Sequence, residues 1–177
     1  TVMRQETGCG VCSRQGAGIT VRHGLCDEIF EEAYMKLGEQ NKVEWDVAAL
    51  RGCAAKDVLV CECGMKAFDA GVRAVQEAQS AKGRTKWLQL GWLYLDSGCV
   101  LKEFLSESEV LECCYNAPDT ESLIENIESF GDALACVVVE CPTNPLVQVS
   151  ELVRIAEVVR LCGGVWMGAP ALGSICD

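Results

Sequence analysis

Hydrophobic and polar residues follow two alternating patterns along this chain. Short, nearly continuous apolar runs are typical of buried strands, and they occur at 58–63, 86–90, 110–115, 134–140 and 165–167. Between them the apolar residues recur every three or four positions, which predicts helices at 65–80, 100–105, 120–130 and 151–162. Asp119 and Ser150 stand where the N-caps of the last two helices are expected.

This alternation predicts an α/β fold with three layers, in which helices cover both faces of a mainly parallel sheet. Because 134–140 is the most apolar run, we place it at the centre of the sheet. Ligands bind such sheets beyond the carboxyl ends of the strands. The candidate functional loops are therefore those that follow Cys63, Leu90, Glu140 and Met167.

The N-terminal region lacks this periodicity. Residues 1–24 are polar, rich in glycine and unpatterned, and we interpret them as an arm that precedes one α/β domain at 25–177. A first helix is predicted to begin at Asp27, because an apolar face follows at Ile29, Phe30, Ala33, Tyr34 and Leu37. Residues 46–50 are a candidate for another short helix.

Composition excludes several classes of partner. Half of the 177 residues are hydrophobic, which is enough to build a sizeable core. The net charge of −11 argues against nucleic acid, because binding phosphates requires a basic face. No apolar run reaches the ~18 residues of a membrane span. The first ten residues also lack the apolar segment of a secretory signal.

The thirteen cysteines favour a reducing compartment. Their number is odd, and several of them, such as Cys61 and Cys136, lie in apolar runs where a free cysteine acts as a small hydrophobic residue. We therefore expect a cytoplasmic protein. Cys9 and Cys12 form a CxxC pair, which could be a redox pair or half of a zinc site. Because no second pair follows and His23 is the sole histidine, we expect no metal site.

Three of the candidate loops contain residues that could bind a ligand. Gly64 allows close approach of the backbone, and the N–H groups of the helix that follows could hold a phosphate; alternatively, the glycine only turns the chain. Tyr94 could stack on a flat ring, or it and Trp92 could cap the core. Asn144 could present its amide at the end of the central strand, or belong to a plain Asn-Pro turn.

Together these loops resemble one enzyme family. The segment VVVECPTNPLVQVSELVRIAEVVRLCGG is similar to a strand, an E-x-P-x-N-P turn and a helix of the cystathionine γ-synthase family. The segment CECGMKAFDAGVRAV is similar to that family's S-S-G-M-x-A turn and the helix after it. The resemblance extends over 50–170. It implies part of the large domain of a fold-type-I enzyme of Cys and Met metabolism that uses pyridoxal 5′-phosphate (PLP).

The resemblance also implies roles for five residues. Gly64 and Met65 match the positions whose backbone amides hold the cofactor phosphate, and Cys63 stands where the family usually has serine. Tyr94 matches the tyrosine that stacks on the pyridine ring. Asn144 matches the asparagine beside the phenolic oxygen of that ring.

Other groups of the family are not matched. The aspartate that pairs with the pyridinium nitrogen falls on Ala169, whose methyl group cannot stabilise a positive charge. No lysine lies in a motif like that of the family's Schiff-base lysine. In the family, a tyrosine and an arginine of the N-terminal arm reach the cofactor phosphate of a neighbouring subunit. Arg22 is the candidate remnant of that arginine in this chain.

Two hypotheses follow from these matches and departures. In the first, the chain is a relative or fragment of a PLP-dependent sulfur amino-acid enzyme, inactive by itself because the lysine and the aspartate are missing. In the second, it is a degenerate or engineered non-catalytic protein that acts by binding a partner. Because members of the family are usually dimers or tetramers, the expected partner is a second copy or a fuller PLP enzyme, with neither nucleic acid nor a membrane involved.

Overall fold

The computed structural model of the protein describes residues 13–27 and 39–170, in two compact units that divide between Ala67 and Phe68. The first unit contains α1 (Ser13–Arg22), α2 (Glu39–Arg51), a 3-10 turn (Ala55–Asp57) and the first residues of α3 (Gly64–Ser80). The second contains the remainder of α3 and the elements β1 (Lys86–Leu90), α4 (Leu95–Phe104), β2 (Val110–Cys114), α5 (Thr120–Phe130), a 3-10 turn (Gly131–Ala133), β3 (Leu134–Cys141), α6 (Leu152–Leu161) and β4 (Val165–Pro170).

One predicted strand is absent from the first unit. The run Val58–Cys63 forms no strand: Val58 has an extended backbone, with φ −106° and ψ 126°, but 58–63 pairs with no described strand. A strand needs a neighbour for its N–H and C=O groups, and an apolar run cannot supply one by itself. The short helix predicted at 46–50 is confirmed within the longer α2, and the helix predicted from Asp27 to Leu37 lies almost wholly outside the described residues.

The four strands of the second unit form one parallel sheet, which confirms the predicted α/β class. Their order is β2-β1-β3-β4, and each neighbouring pair is parallel. β3 lies between β1 and β4, and every residue from Leu134 to Glu140 is buried. The central position predicted from the apolar character of this run is therefore confirmed.

One face of the sheet packs against α5 and α6. Their shared core contains Leu88, Leu90, Leu123, Ile124, Ile127, Leu134, Val137, Val139, Ile155 and Val159. Trp166 of β4 also packs against this cluster. Burying each such side chain contributes about 1.5–3 kcal/mol, so this layer supplies much of the stability of the sheet.

The opposite face of the sheet contacts α3. Because side chains alternate along a strand, Met167 points away from the side on which Trp166 lies. A Cβ atom added to Gly71 of α3 would lie only 2.9 Å from Met167 Cε, so α3 lies directly against β4 on this side. With helices on both faces, the predicted three-layer arrangement is confirmed.

Some boundaries and one cap differ from the prediction. α4 begins at Leu95, well before the predicted start at Val100, and β4 continues beyond Met167 to Pro170. Ser150 does not cap α6, because its Oγ donates a hydrogen bond to Ala117 O at 2.5 Å instead.

The inward face of α3 is narrower than predicted. The apolar spacing of 65–80 predicts six inward positions: Ala67, Phe68, Gly71, Val72, Val75 and Ala78. Of these, Phe68 and Val72 are buried, whereas Ala67 and Ala78 are exposed. Asp69 is buried among them, and Arg73 Nε donates to both of its carboxylate oxygens at 3.0 Å. A buried carboxylate on this face is tolerated because it is paired in this way.

Candidate functional site

The candidate site lies at the carboxyl ends of β1 and β3, where the loop 91–94 meets the turn 142–148. The Asn144 N–H donates a hydrogen bond to Trp92 O at 3.3 Å, which joins the two segments. Gly91 has φ +66°, and a Cβ atom there would overlap Thr143 Cγ2. The close approach of the loop to the turn therefore requires glycine at 91.

The turn itself is closed by hydrogen bonds around Thr143. The Thr143 N–H donates a hydrogen bond to Gln148 O at 2.9 Å, and the Gln148 N–H donates one to Thr143 Oγ1 at 3.0 Å. The Val147 N–H also donates to Thr143 O, at 2.8 Å. Because these bonds hold the turn at both ends, the position of Asn144 between them is fixed by the backbone.

Glu140 is a buried carboxylate at the end of β3. It is 6% exposed, and its Oε2 accepts a hydrogen bond from the Tyr94 N–H. Burial raises the pKa of Glu140, and the Tyr94 N–H offsets that effect only in part. Sequence reasoning assigned Glu140 no role, although a charged residue that ends the otherwise apolar run VVVEC was a usable signal.

A cavity of about 350 Å³ opens between the loop and the turn. Its lining consists of Tyr94, Glu140, Pro142, Thr143, Asn144, Pro145 and Val147. The volume lies in the lower part of the range of small-molecule sites, about 300–1,000 Å³. The cavity therefore brings together Tyr94 and Asn144, the two residues that the family resemblance assigned to a pyridine ring.

Tyr94 and Trp92 do not close the core. Tyr94 is 46% exposed and Trp92 is 44% exposed, and Trp92 stacks on Tyr115 with ring centroids 4.6 Å apart. A hydrogen bond with Asp96, together with the charge of that carboxylate, raises the pKa of the Tyr94 phenol. The ring is therefore neutral at physiological pH and accessible to a flat ligand.

Cys63, Gly64 and Met65 lie at the start of α3, in the first unit. Cys63 O accepts a hydrogen bond from the Ala67 N–H at 3.1 Å, and the Cys63 side chain is exposed. Apart from its chain neighbours and the backbone of its own helix, no atom of the described residues lies within 4 Å of a Cβ added to Gly64. The N-terminus of a helix carries a partial positive charge that suits a phosphate. Binding of the cofactor phosphate by the backbone N–H groups of Gly64 and Met65 stays a prediction.

The end of β4 offers no acid. Met167–Pro170 contains no ionisable side chain, and Ala169, the predicted counterpart of the pyridinium aspartate, lies in this stretch. The parallel register of β3 and β4 places Ala169 directly opposite Glu140. The carboxylate of the site is thus on the central strand, one strand away from its expected position.

The described residues contain neither a cluster of metal ligands nor a membrane-spanning helix. Within 13–27 and 39–170, no group of three or more His, Cys, Asp and Glu side chains is placed to hold a metal ion. The CxxC pair, Cys9 and Cys12, lies outside these ranges. In the part of the chain that the structure describes, no helix is long and apolar enough to cross a membrane.

The chain has a distant sequence similarity to a known protein. No known family profile matches the chain. It is similar to L-2-amino-4-chloropent-4-enoate dechlorinase/desaturase of Streptantibioticus cattleyicolor, with 26% identity over 160 residues, which cover 90% of this chain and 32% of that protein. The crystal structure of a β-phenylalanine aminotransferase from Variovorax paradoxus matches 94% of this chain and 39% of its own, with 14% identity and a TM-score of 0.47.

The sequence similarity bears on the family of this chain at a coarse level only. At 26% identity the similarity to the dechlorinase/desaturase is distant, and it does not select the cystathionine γ-synthase-like family. The chain spans about a third of the length of that relative, since it covers 32% of it.

Proposed function

We propose that this chain is the cofactor-ring-binding part of a PLP-dependent enzyme of the cystathionine γ-synthase-like family, which acts on sulfur-containing amino acids. The observation that carries the proposal is the cavity that Tyr94 and Asn144 line together at the carboxyl edge of the sheet. Their meeting was implied by sequence resemblance alone, at two loops that are 50 positions apart in the chain.

The residues of the chain fit part of this cofactor. The Tyr94 ring would lie against one face of the pyridine ring, and the Asn144 amide would donate to its phenolic oxygen. Gly64 and Met65 would hold the phosphate through backbone N–H groups. When bound, PLP supplies an electron sink for reactions at the carbon atoms of an amino acid.

We propose further that this chain does not turn over substrate by itself. No lysine lines the cavity in the described part of the chain, so it offers no amine that could form a Schiff base or move a proton. A sulfur amino-acid substrate would therefore require a lysine from elsewhere in a longer chain or from a partner.

The proposal is tested by binding of 4′-deoxypyridoxine 5′-phosphate, which lacks the aldehyde and so avoids reaction with surface lysines. Calorimetric titration should show one site, and Tyr94→Ala and Asn144→Ala should each weaken binding about tenfold, because each removes one contact to the ring. Tyr115→Ala is the matched control, since Tyr115 is 43% exposed and does not line the cavity. Absence of binding, or equal losses in all three variants, would contradict the proposal.

A second candidate function is non-catalytic binding of a partner protein. It is favoured by exposed apolar side chains next to the site, among which Leu95 is 74% exposed and Trp92 and Tyr115 are more than 40% exposed. Trp92 and Tyr115 contact each other, and exposed apolar groups in contact at a surface are typical of interaction sites. The two functions are separable, because a partner-binding protein need not bind the phosphate probe.

A further inference from the structure

Among the residues that the structure describes, Glu140 is the one charged side chain that lines the candidate cavity, and no basic side chain lines it. It is 6% exposed, so its carboxylate has lost most of its contact with water. The Tyr94 N–H bound at Oε2 occupies one of several acceptor positions on the two carboxylate oxygens. A buried carboxylate is costly unless it is paired, so this cavity favours a ligand that brings a positive charge or a strong donor.

The Tyr94 contact also fixes where the carboxylate lies. Tyr94 supplies its backbone N–H to Glu140 and its ring to the same cavity. Because both residues line this one cavity, a flat ligand that contacted Tyr94 there would be within reach of the Glu140 carboxylate. This arrangement suits a heteroaromatic ring with a protonated nitrogen, because the ring stacks and the nitrogen donates in the plane of the ring.

The neighbouring strand leaves room for this contact. Ala169 is opposite Glu140 in the parallel register of β3 and β4, and directly opposed residues project on the same face of the sheet. Adjacent strands are about 4.8 Å apart, so the two side chains start from nearby positions. The small methyl group of Ala169 does not compete with Glu140 for a donor in the cavity.

We infer that Glu140 binds the protonated ring nitrogen of the ligand in this cavity, from the central strand, in place of the acid that the end of β4 lacks. The inference rests on the proposed function, since that function supplies the class of ligand: a flat, phosphorylated pyridine. It assigns Glu140 a direct contact with the ligand, in addition to its contact with the Tyr94 backbone.

The test compares two probes on two proteins. The probes are 4′-deoxypyridoxine 5′-phosphate and the same molecule with CH in place of the ring nitrogen, and the proteins are the wild type and Glu140→Gln. The wild type should bind the nitrogen-containing probe about tenfold or more tightly than the carbocyclic one, because the contact is a charge-assisted hydrogen bond. In Glu140→Gln the ratio of the two affinities should fall towards one.

A spectroscopic measurement gives an independent readout. With a ¹⁵N-labelled ring, the bound probe should show the chemical shift of a protonated nitrogen in the wild type and move towards the unprotonated value in Glu140→Gln. Glu112→Gln is the control, because Glu112 lies on β2 and does not line the cavity; it should keep the wild-type ratio and shift.

The outcomes separate this inference from the proposed function. Equal binding of both probes by the wild type, or an unchanged ratio in Glu140→Gln, overturns the role of Glu140 and leaves the proposed function standing. Binding of neither probe overturns both.

Discussion

Two glutamates in the second unit show how the same side chain acquires opposite properties. Glu109 accepts hydrogen bonds from Gln76 Nε2, from Trp87 Nε1 at 2.8 Å and from the N–H and Oγ of Ser106, both at 2.8 Å. Burial would raise its pKa, but these hydrogen bonds outweigh burial and lower the pKa of Glu109. Within the described part of the chain, Glu140 accepts from one such donor, the Tyr94 N–H, and burial raises its pKa.

Glu109→Gln should destabilise the protein at neutral pH by about 1–3 kcal/mol, because an amide group replaces an acceptor that several donors share. A carboxylate with a lowered pKa stabilises the folded state above its ordinary pKa, and that stability is lost as pH falls through the lowered value. The deficit of the variant should therefore shrink below pH 4. Urea unfolding at pH 7 and at acidic pH measures it, with the exposed Glu107→Gln as control; a deficit that did not depend on pH would contradict this account.

Glu140→Gln should show the opposite pH dependence. Because the folded-state pKa of Glu140 is raised, its stabilising contribution is fully present below its ordinary pKa and is lost as pH rises through the raised value. Glutamine resembles the protonated acid and can still accept the Tyr94 N–H. Thermal unfolding should thus show the variant more stable than the wild type at pH 8 and equal to it at pH 4. A variant less stable at pH 8 would mean that the structure stabilises the charge.

At the scale of secondary-structure elements, Arg84 joins the start of β3 to the end of α6. Its Nη1 donates to Leu134 O at 3.2 Å and to Cys162 O at 2.6 Å. Gly163, which follows Cys162, has φ +73°, and a Cβ atom added to it would lie 2.5 Å from Arg84 Nη2. The turn into β4 therefore depends on glycine for both its backbone conformation and its space.

Substitution at two glycines separates these two requirements. Gly131 also has a positive φ, +50°, but apart from its chain neighbours no atom of residues 13–27 and 39–170 lies within 4 Å of a Cβ added there. Gly131→Ala should cost about 1 kcal/mol from backbone strain alone. Gly163→Ala should cost at least about 1 kcal/mol more, because it also displaces Arg84 from two carbonyl groups. Equal losses in urea unfolding would show that Arg84 moves aside without cost.

Elements whose residues are buried by the sheet itself were predictable, and those that depend on a distant partner were not. The spacing of apolar residues predicts β1, β3 and α5. The predicted cap of α5 is confirmed, because Asp119 accepts a hydrogen bond from the Ser122 N–H at 3.2 Å. The prediction of a strand at 58–63 was wrong, because no described strand lies beside this segment to pair with it. The start of α4 was missed because its first turn buries the polar residues Asp96 and Ser97.

The candidate site was predictable in part for the same reason. Tyr94 and Asn144 follow strands that the apolar pattern predicted. The family resemblance could therefore place them at the carboxyl ends of those strands. Their meeting depends on β1 lying next to β3, which neither run specifies alone. The role of Glu140 was missed because the donor to its carboxylate, the Tyr94 N–H, is 46 positions away in the chain.

At the scale of the whole molecule, exposed apolar residues beside the site should drive self-association. Leu95→Glu should shift the protein towards monomer, because it puts a charge in place of an apolar side chain that is 74% exposed and lies next to Tyr94 in the sequence. Leu161→Glu on α6 is a matched control, since Leu161 is 84% exposed and lies in the sequence far from this group. Light scattering over a range of concentrations measures the mass; a monomeric wild type, or equal effects of both variants, would contradict the prediction.

The parallel order of the sheet has a consequence for synthesis on the ribosome. β1 pairs with β2 and β3, and both of these strands follow it in the chain. Trp87, Leu88 and Leu90 are fully buried in the folded protein, yet they have no β3 to pack beside until residue 141 has been added. At about 5–20 residues per second, that delay is roughly 3–10 seconds. The nascent chain therefore carries an uncovered apolar strand for seconds, and this interval is when a chaperone would have most to bind.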